Sequence, residues 1–285
     1  MDYEKPFLYI DTNFAPDEAL MAYMATKSYD FELVGLSTGS GMMNTKLAAE
    51  NIVGLMADDG LYLSVAAGED LSSYHHLDKK IFTTTKDYIE EMPAYENIID
   101  KASDCGKLDI IATAGLTNIA KALEEAPEIE DYISHIFILG GESDGEVSET
   151  FIEDPASVDK ILNSSIDLFL LPIGIANQVS LSDEMIAKLA GHDKNLDIIL
   201  GEFKKDNYRL LRANLLMYLM LMPEAFIFEE SGFGIHLDDS DGEMGSLYRT
   251  DTRKKNYRAT RVNEETFYDF LMGSLKWNLK NLALE

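Results

Sequence analysis

The stretch YIDTNFAPDEALMAY, residues 9–23, joins an apolar segment to a helical pattern through an acidic turn. Pro16 suits the first position of a helix, because the backbone N–H that proline lacks is unpaired there anyway. Asp17 and Glu18 then lie in the first helical turn, where the positive end of the helix dipole favours acidic side chains. The same carboxylates could instead hold a cation at the carboxyl end of a strand. Helix capping and cation binding are therefore both open for this turn.

Apolar segments and helical patterns alternate outward from this turn. The predicted strands are short, almost entirely apolar and rich in Ile, Leu, Val and Phe, as strands buried on both faces are. They cover residues 6–10, 31–37, 61–67, 108–114, 135–141 and 167–175. The amphipathic stretches between them predict helices over residues 16–28, 43–57, 86–103, 117–126, 155–163 and 182–190. This alternation predicts an α/β fold with an open, mainly parallel sheet flanked by helices.

The last third of the chain has a different pattern. Residues 195–226 predict a long helix or a helix pair, residues 232–250 a small hairpin, and residues 263–277 a final helix capped by Asn263. No linker, repeat or low-complexity segment interrupts the sequence. Residues 1–285 are therefore expected to form a single domain with a helical C-terminal region.

The composition argues against several kinds of partner. Against 24 basic residues stand 51 acidic ones, which gives a net charge of -27. Such a surface repels nucleic acid phosphates and anionic membranes, so neither is an expected partner. The longest apolar run, residues 215–222, is shorter than the roughly 20 residues of a transmembrane helix. Residues 1–10 lack the pattern of a signal peptide, and the single Cys105 predicts no internal disulfide, so a cytoplasmic protein is expected.

Three further motifs give weaker signals. GSG at 39–41 follows the second predicted strand and lacks the third glycine of a dinucleotide fingerprint, which argues against an NAD site. DDSDGE at 238–243 resembles the start of a calcium loop, but Thr250 stands where the bidentate Glu is required, and a solvated turn is favoured. His75 and His76 are adjacent and point apart on any regular element, so a loop is favoured over a zinc site.

Several motifs also occur together in one order along the chain. DTNFAPDEA at 11–19 is similar to the motif D-T-D-P-G-x-D-D-A, and ATAGLTNIAKAL at 112–123 to A-T-G-P-L-T-N-I-A-x-A-L. Further matching segments are LVGLSTGSGMMN (33–44), IFILGG (136–141), EDPASVDKIL (153–162), LPIGIANQVSLSDE (171–184) and MPEAF (222–226). On these segments the chain resembles the inosine–uridine-preferring nucleoside hydrolase family.

The resemblance implies a function and a cofactor. Family members hydrolyse the N-glycosidic bond of ribonucleosides to a free base and ribose. A calcium ion, held by motif carboxylates, a backbone carbonyl and a late Asp, binds the ribose hydroxyls and the attacking water. The resemblance therefore implies a small-molecule nucleoside or sugar as ligand, and a homodimer or homotetramer as the assembly.

The resemblance also assigns roles to individual residues. The metal ligands of the family fall on Asp11, Asn13, Glu18 and the backbone carbonyl of Thr113. Asn13 also stands where the family has its general-base Asp. Asp17 stands where an Asp contacts ribose, so Asn13 and Asp17 are the predicted catalytic positions.

Other positions of the family site are altered. Met42 replaces an Asn, Ser148 a Glu, and Thr150 an Asn; Thr150 remains a predicted ribose contact by its position. The late His-Asp pair of the family falls on Arg212 and Ala213. The site is therefore predicted to be degenerate.

These substitutions leave two functions open. An amide cannot accept a proton as a carboxylate does, and losing a positioned base costs on the order of 10²–10⁴ in rate. With carboxylates missing at Asn13 and Ala213, calcium binding is doubtful, and we hypothesise that Arg212 pairs with Asp17 or Glu18 in place of the metal. The chain is then either a nucleoside hydrolase with weak or lost activity, or a non-catalytic nucleoside-binding, sugar-binding or regulatory homologue.

Overall fold

One sheet of 10 strands runs through the computed structural model, which describes residues 5–58, 60–71, 75–82, 88–141, 147–205, 208–239, 242–252 and 254–282. The strands are β1 (Phe7–Thr12), β2 (Glu32–Thr38), β3 (Ser64–Ala67), β4 (Ile89–Glu90), β5 (Leu108–Ala112), β6 (Ile133–Leu139), β7 (Asp167–Leu171), β8 (Phe226–Ile235), β9 (Leu247–Thr250) and β10 (Asn256–Val262). Their order is β4-β3-β2-β1-β5-β6-β7-β10-β8-β9. Neighbours from β4 to β10 are parallel, whereas β10 with β8 and β8 with β9 are antiparallel.

Helices cover both faces of this sheet. They are α1 (Pro16–Thr26), α2 (Thr45–Asp58), α3 (Ala94–Cys105), α4 (Thr117–Glu125), α5 (Glu149–Glu153), α6 (Pro155–Leu162), α7 (Ile173–Ala176), α8 (Asp183–Leu189), α9 (Lys194–Lys205), α10 (Arg212–Leu221) and α11 (Glu264–Leu282). One hydrophobic cluster joins the sheet to α1, α2, α9, α10 and α11, and a second joins the opposite face to α3, α4 and α6. Alternate strand residues enter alternate clusters, as Tyr9 and Ile10 do, because successive side chains of a strand point to opposite faces.

The predicted fold class is confirmed, with a few elements placed differently. All the predicted strands occur, the region from 195 to 226 is a helix pair, and β8 with β9 forms the expected hairpin. Sequence reasoning missed β10, because Asn256–Val262 carries two arginines and a threonine and has no continuous apolar run. The helix predicted over 86–103 is wrong at its start, since Ile89–Glu90 forms β4 and α3 begins at Ala94; residues 86 and 87 lie outside the described part.

Two internal helices, α1 and α10, begin at the carboxyl edge of the parallel strands. The run from 16 to 25 is buried in α1, and the run from 213 to 219 is buried in α10. A helix that is apolar on every side belongs inside a protein, and these two pack against each other. The acidic first turn of α1 is consequently enclosed. Among the helices that the structure describes, none is both long and apolar enough to cross a bilayer.

The turn from β1 into α1 has an unusual backbone at Phe14. Its φ of 59° is the positive φ of a non-glycine residue, the sole case among the described residues. The Phe14 ring is fully buried and meets the Phe82 ring edge-on, with centroids 6.4 Å apart. Asn51 holds this neighbour, because its Oδ1 accepts hydrogen bonds from the N–H groups of Ile81 and Phe82 at 2.6 and 3.1 Å. Packing thus fixes a conformation that most residues avoid.

Replacing Phe14 tests this backbone conformation. Phe14→Ala should lower the free energy of unfolding by about 3–5 kcal/mol, through the lost burial and the cavity that remains. Phe14→Gly loses the same ring but avoids the left-handed penalty of about 1–2 kcal/mol that alanine bears. The Gly variant should therefore be at least as stable as the Ala variant in urea unfolding.

A matched pair in α1 provides the control. At Leu20 the helical backbone favours alanine, so Leu20→Gly should be about 1 kcal/mol less stable than Leu20→Ala. The same ordering at position 14 would contradict the left-handed conformation of Phe14.

Candidate functional site

A cavity of about 390 Å³ opens at the carboxyl edge of the parallel strands. The residues predicted from sequence that line it are Asn13, Asp17, Glu18, Met42, Thr113, Ser148, Thr150 and Arg212. Sequence reasoning missed Leu139, Ile173 and Tyr208, which also line it. Leu139 ends β6, and Ile173 begins α7 just after β7. Their positions at the carboxyl ends of parallel strands could have indicated both residues. Tyr208 lies in an irregular segment before α10 and gives no such signal.

Asp11 and Ala213 are fully buried and lie outside the cavity lining. Asp11 pairs in register with Ser37 of β2, and its Oδ1 accepts hydrogen bonds from Ser37 Oγ at 2.6 Å and Asn118 Nδ2 at 3.0 Å. Its Oδ2 is buried and has no partner within the described ranges. Burial raises the pKa of Asp11 to about 6, although the two hydrogen bonds act in the opposite direction.

Asn13 lines the cavity and carries a buried oxygen that accepts no hydrogen bond from the described part of the chain. Its Nδ2 donates to the carbonyl of Thr113 at 3.4 Å, whereas its Oδ1 is buried and has no hydrogen-bond partner among the described residues. Gly41, with a φ of +151°, packs so close that a Cβ there would lie 2.8 Å from the Asn13 Cβ. This contact is the reason that a glycine suits the loop after β2.

Glu18 closes the turn that carries it. Its Oε2 accepts hydrogen bonds from Thr12 Oγ1 at 2.7 Å and from the N–H of Ala15 at 3.0 Å. The second bond is the part that glutamate plays in a capping box. Burial, followed by the nearby charge of Asp17, raises the pKa of Glu18 to about 7 against the effect of these donors.

Asp17 connects α1 to the N-terminal end of α10. Its Oδ2 accepts a hydrogen bond from the N–H of Ala213 at 2.9 Å, and its Oδ1 accepts one from the Tyr208 hydroxyl at 3.0 Å. The Ala213 N–H belongs to the first turn of α10, where backbone donors lack helical partners and the dipole favours an anion. Burial raises the pKa of Asp17, and the donors together with the Arg212 charge oppose that shift.

The hypothesis that Arg212 forms an ion pair with Asp17 or Glu18 is wrong in its direct form. The Arg212 Nε donates instead to Asn177 Oδ1 at 2.6 Å, at the end of α7. Arg212 is the first residue of α10, and the backbone N–H of the next residue, Ala213, donates to the Asp17 carboxylate. Arg212 therefore acts on Asp17 only through its charge.

Two hydroxyl groups line the wall formed by the start of α5. Ser148 Oγ and Thr150 Oγ1 lie 2.5 Å apart in a hydrogen bond, and Thr150 Oγ1 also donates to the Leu139 carbonyl at 3.5 Å. Met42, on the loop after β2, adds an apolar surface to the lining. The roles assigned to these residues from sequence remain predictions.

The donor set of this site does not fit a calcium ion. Ca²⁺ takes six to eight oxygen ligands, and its affinity follows the number of carboxylates. The carboxylates of Asp17 and Glu18 already accept hydrogen bonds from the chain, and the Asn13 N–H faces the carbonyl of Thr113. Arg212 adds a positive charge to the same lining. Within the described residues, no group of three or more His, Cys, Asp or Glu side chains could hold a metal ion.

The histidines considered for zinc and the acidic turn considered for calcium lie elsewhere. His75 Nδ1 lies 3.2 Å from the Gly41 carbonyl, and its Nε2 lies 3.1 Å from Asp70 Oδ2. In the acidic turn, Glu243 contacts the His236 Nε2 at 3.3 Å, and residues 240 and 241 lie outside the described part.

Comparisons with known proteins agree with this arrangement of elements and motifs. The model of the family described as inosine-uridine preferring nucleoside hydrolase matches residues 8–269. The chain belongs to this family. A "Probable uridine nucleosidase 2" from Arabidopsis thaliana is 26% identical over 203 residues, which span 64% of this chain and 63% of that relative. This match thus covers less than two thirds of the relative's length. A "Non-specific ribonucleoside hydrolase RihC" from Shigella boydii serotype 18 is 22% identical over 77% of this chain and 80% of its own.

Solved structures of nucleoside hydrolases share the fold of this family member. A "Purine-Preferring Ribonucleoside Hydrolase" from Gardnerella vaginalis superimposes with a TM-score of 0.81 at 20% identity, over 96% of this chain and 99% of its own. A nucleoside hydrolase from Bacillus anthracis gives a TM-score of 0.77 at 18% identity, over 95% of this chain and 99% of its own. At such identities the likeness shows the fold alone.

Replacing Glu18 by glutamine tests the buried acid of the turn. Because the pKa of Glu18 is raised from 4.5 to about 7 on folding, the folded state binds the proton more tightly than the unfolded state does. The stability that this group contributes is therefore present below about pH 4.5 and lost as the pH rises to 7. In Glu18→Gln the amide keeps an acceptor for Thr12 and Ala15 but does not titrate. Between pH 5 and 8 the free energy of unfolding of the variant should therefore rise relative to that of the wild type, by up to about 3 kcal/mol.

Urea unfolding in EDTA at several pH values measures this difference, and EDTA keeps any metal out of the comparison. Glu128→Gln, at an exposed glutamate, is the control and should follow the wild type at every pH. If the curves of wild type and Glu18→Gln were parallel from pH 5 to 8, the raised pKa of Glu18 would be refuted.

Proposed function

We propose that this chain binds a ribonucleoside or a related sugar in the cavity at the carboxyl edge of the sheet, and that hydrolysis of the N-glycosidic bond there is weak or absent. The observation that carries this proposal is Asn13. It lines the cavity at the family's general-base position, and its side chain is an amide. An amide oxygen can accept a hydrogen bond from a sugar hydroxyl but cannot take a proton from water.

Asp17 and Glu18 are poor replacements for that base. Asp17 holds the first turn of α10 and Glu18 holds the turn before α1, so each accepts two hydrogen bonds from the chain. A base must reach the attacking water and be ionised when it does so. Losing the positioned base alone accounts for a reduction on the order of 10²–10⁴ in rate.

The lining nevertheless suits a nucleoside. Its volume of about 390 Å³ falls within the range of small-molecule sites, which are mostly apolar with a few placed polar groups. Met42, Leu139 and Ile173 offer apolar surface for a base, while Asn13 and Thr150 offer polar atoms for a sugar. The names of the relatives, among them uridine nucleosidases, support a nucleoside as the ligand. A hydrolase with a rebuilt site is the second candidate, because Asp17 and Glu18 still line the cavity.

Ribose release tests the proposal. The protein is incubated with a panel of purine and pyrimidine nucleosides in millimolar calcium, and free ribose is measured. Asp17→Asn is the control, since Asn keeps an acceptor for Tyr208 or Ala213 and should still fold, as circular dichroism can verify. We expect release no greater than in this control, together with nucleoside binding by calorimetry. Release that depends on Asp17 would establish the rebuilt hydrolase instead.

The double variant Asn13→Asp, Ala213→Asp tests the chemical reason. It adds a carboxylate at the cavity and another at the start of α10, so that a cation and a base both become available. In calcium we expect ribose release at least about 10²-fold above that of the wild type. A folded double variant that binds calcium but releases no ribose would show that the lost carboxylates do not explain the missing activity.

A further inference from the structure

We infer that this cavity binds its sugar ligand without a divalent cation, through Asn13 as acceptor and Arg212 as the positive donor. The inference rests on the proposed function, because it concerns how the same cavity holds the ligand. It departs from what family membership implies, namely a calcium ion between the carboxylates and the sugar hydroxyls.

Two of the three described acids that line the cavity, Asp17 and Glu18, accept hydrogen bonds from within the chain, whereas the third, Glu149, is exposed. The two oxygens of Asp17 each accept a donor, the Tyr208 hydroxyl and the Ala213 N–H, at 3.0 and 2.9 Å. Glu18 likewise accepts the Thr12 hydroxyl and the Ala15 N–H through one oxygen. Asp17 is 2% exposed, and Glu18 is 3% exposed. These bonds supply donors to two buried carboxylates without a metal ion.

Arg212 brings a fixed positive charge to the same lining. Its Nε is tied to Asn177, and within the described residues its two terminal nitrogens make no hydrogen bond. A guanidinium stays charged at any physiological pH and presents its N–H groups in a planar fork. It can therefore donate to hydroxyl oxygens of a ligand, and its charge also opposes the entry of a divalent cation.

Asn13 supplies the complementary acceptor. The residue is 7% exposed and lines the cavity, and its buried Oδ1 has no partner in the part of the chain that the structure describes. Its Nδ2 points to the Thr113 carbonyl, so the amide turns an N–H towards the backbone oxygen that family members offer to calcium. A hydroxyl group both donates and accepts. A sugar with neighbouring hydroxyls can thus donate to Asn13 and accept from Arg212, so the two side chains fit a polyhydroxylated sugar.

Calorimetry with uridine and with ribose as probes tests the inference. Binding is measured in excess EDTA and in millimolar calcium. We expect the two dissociation constants to agree within about twofold, because the affinity for the ligand does not depend on calcium when no cation takes part in binding. Binding that disappears in EDTA and returns with calcium would overturn the inference while leaving the proposed binding function intact. Absence of binding in both buffers would overturn the proposed function itself.

Two variants with a matched control separate the roles of the residues. Arg212→Gln should weaken binding by about tenfold or more in EDTA, because a charge-assisted hydrogen bond is lost. Arg261→Gln, at an exposed position of β10, should leave binding unchanged. Asn13→Asp should make binding depend on calcium. Unaltered binding by Arg212→Gln, or binding by Asn13→Asp that ignores calcium, would contradict the assigned contacts.

Calcium alone gives an independent readout. In a thermal unfolding experiment without sugar, a site with a Kd about one hundredth of the calcium concentration raises Tm by several degrees. We expect a shift below about 1 °C for the wild type. A larger shift, or stoichiometric heat on titration with calcium, would overturn the inference.

Discussion

The carboxylate of Asp17 at the N-terminal end of α10 is the contact on which the site depends. Both α1 and α10 are internal helices, so the polar groups at their first turns cannot be satisfied by solvent. Asp17 receives the Ala213 N–H and the Tyr208 hydroxyl, and the helix dipole favours its charge. This one contact joins the two helices and places Tyr208 and Arg212 at the cavity. It also uses the acidic side chain of Asp17 for hydrogen bonds that hold the fold together.

The two explanations of the acidic turn, helix capping and cation binding, turn out to compete for the same oxygens. Glu18 closes its own turn through Thr12 and Ala15, which is capping of α1, and Asp17 caps α10 instead of its own helix. Such donors offset part of the desolvation of a buried carboxylate, although burial still outweighs them in the raised pKa of Asp17 and of Glu18. The same hydrogen bonds make it less available as a metal ligand or a base.

Sequence patterns predicted what depends on local order and missed what depends on distant contacts. The continuous apolar runs of the parallel strands revealed the sheet, and motif order revealed most of the cavity lining. The strand Asn256–Val262 escaped detection because its charged residues obscure any apolar run. The bond from Arg212 to Asn177 joins α10 to α7, and no spacing encodes it. Nor does any pattern predict φ = 59° at Phe14, which the Phe82 ring holds in place.

The substitutions around the site are physically linked. Phe14 stands where the motif D-T-D-P-G-x-D-D-A has its Pro, and a proline ring fixes φ at about -65°. A proline therefore cannot adopt the φ of 59° that Phe14 has after Asn13. At the start of α10, an acid in place of Ala213 would bring a second buried carboxylate towards Asp17, and the repulsion between like charges would favour a proton or a cation between them. With alanine at this position, the Ala213 N–H satisfies Asp17 directly, and the neighbouring Arg212 adds a positive charge to the cavity lining.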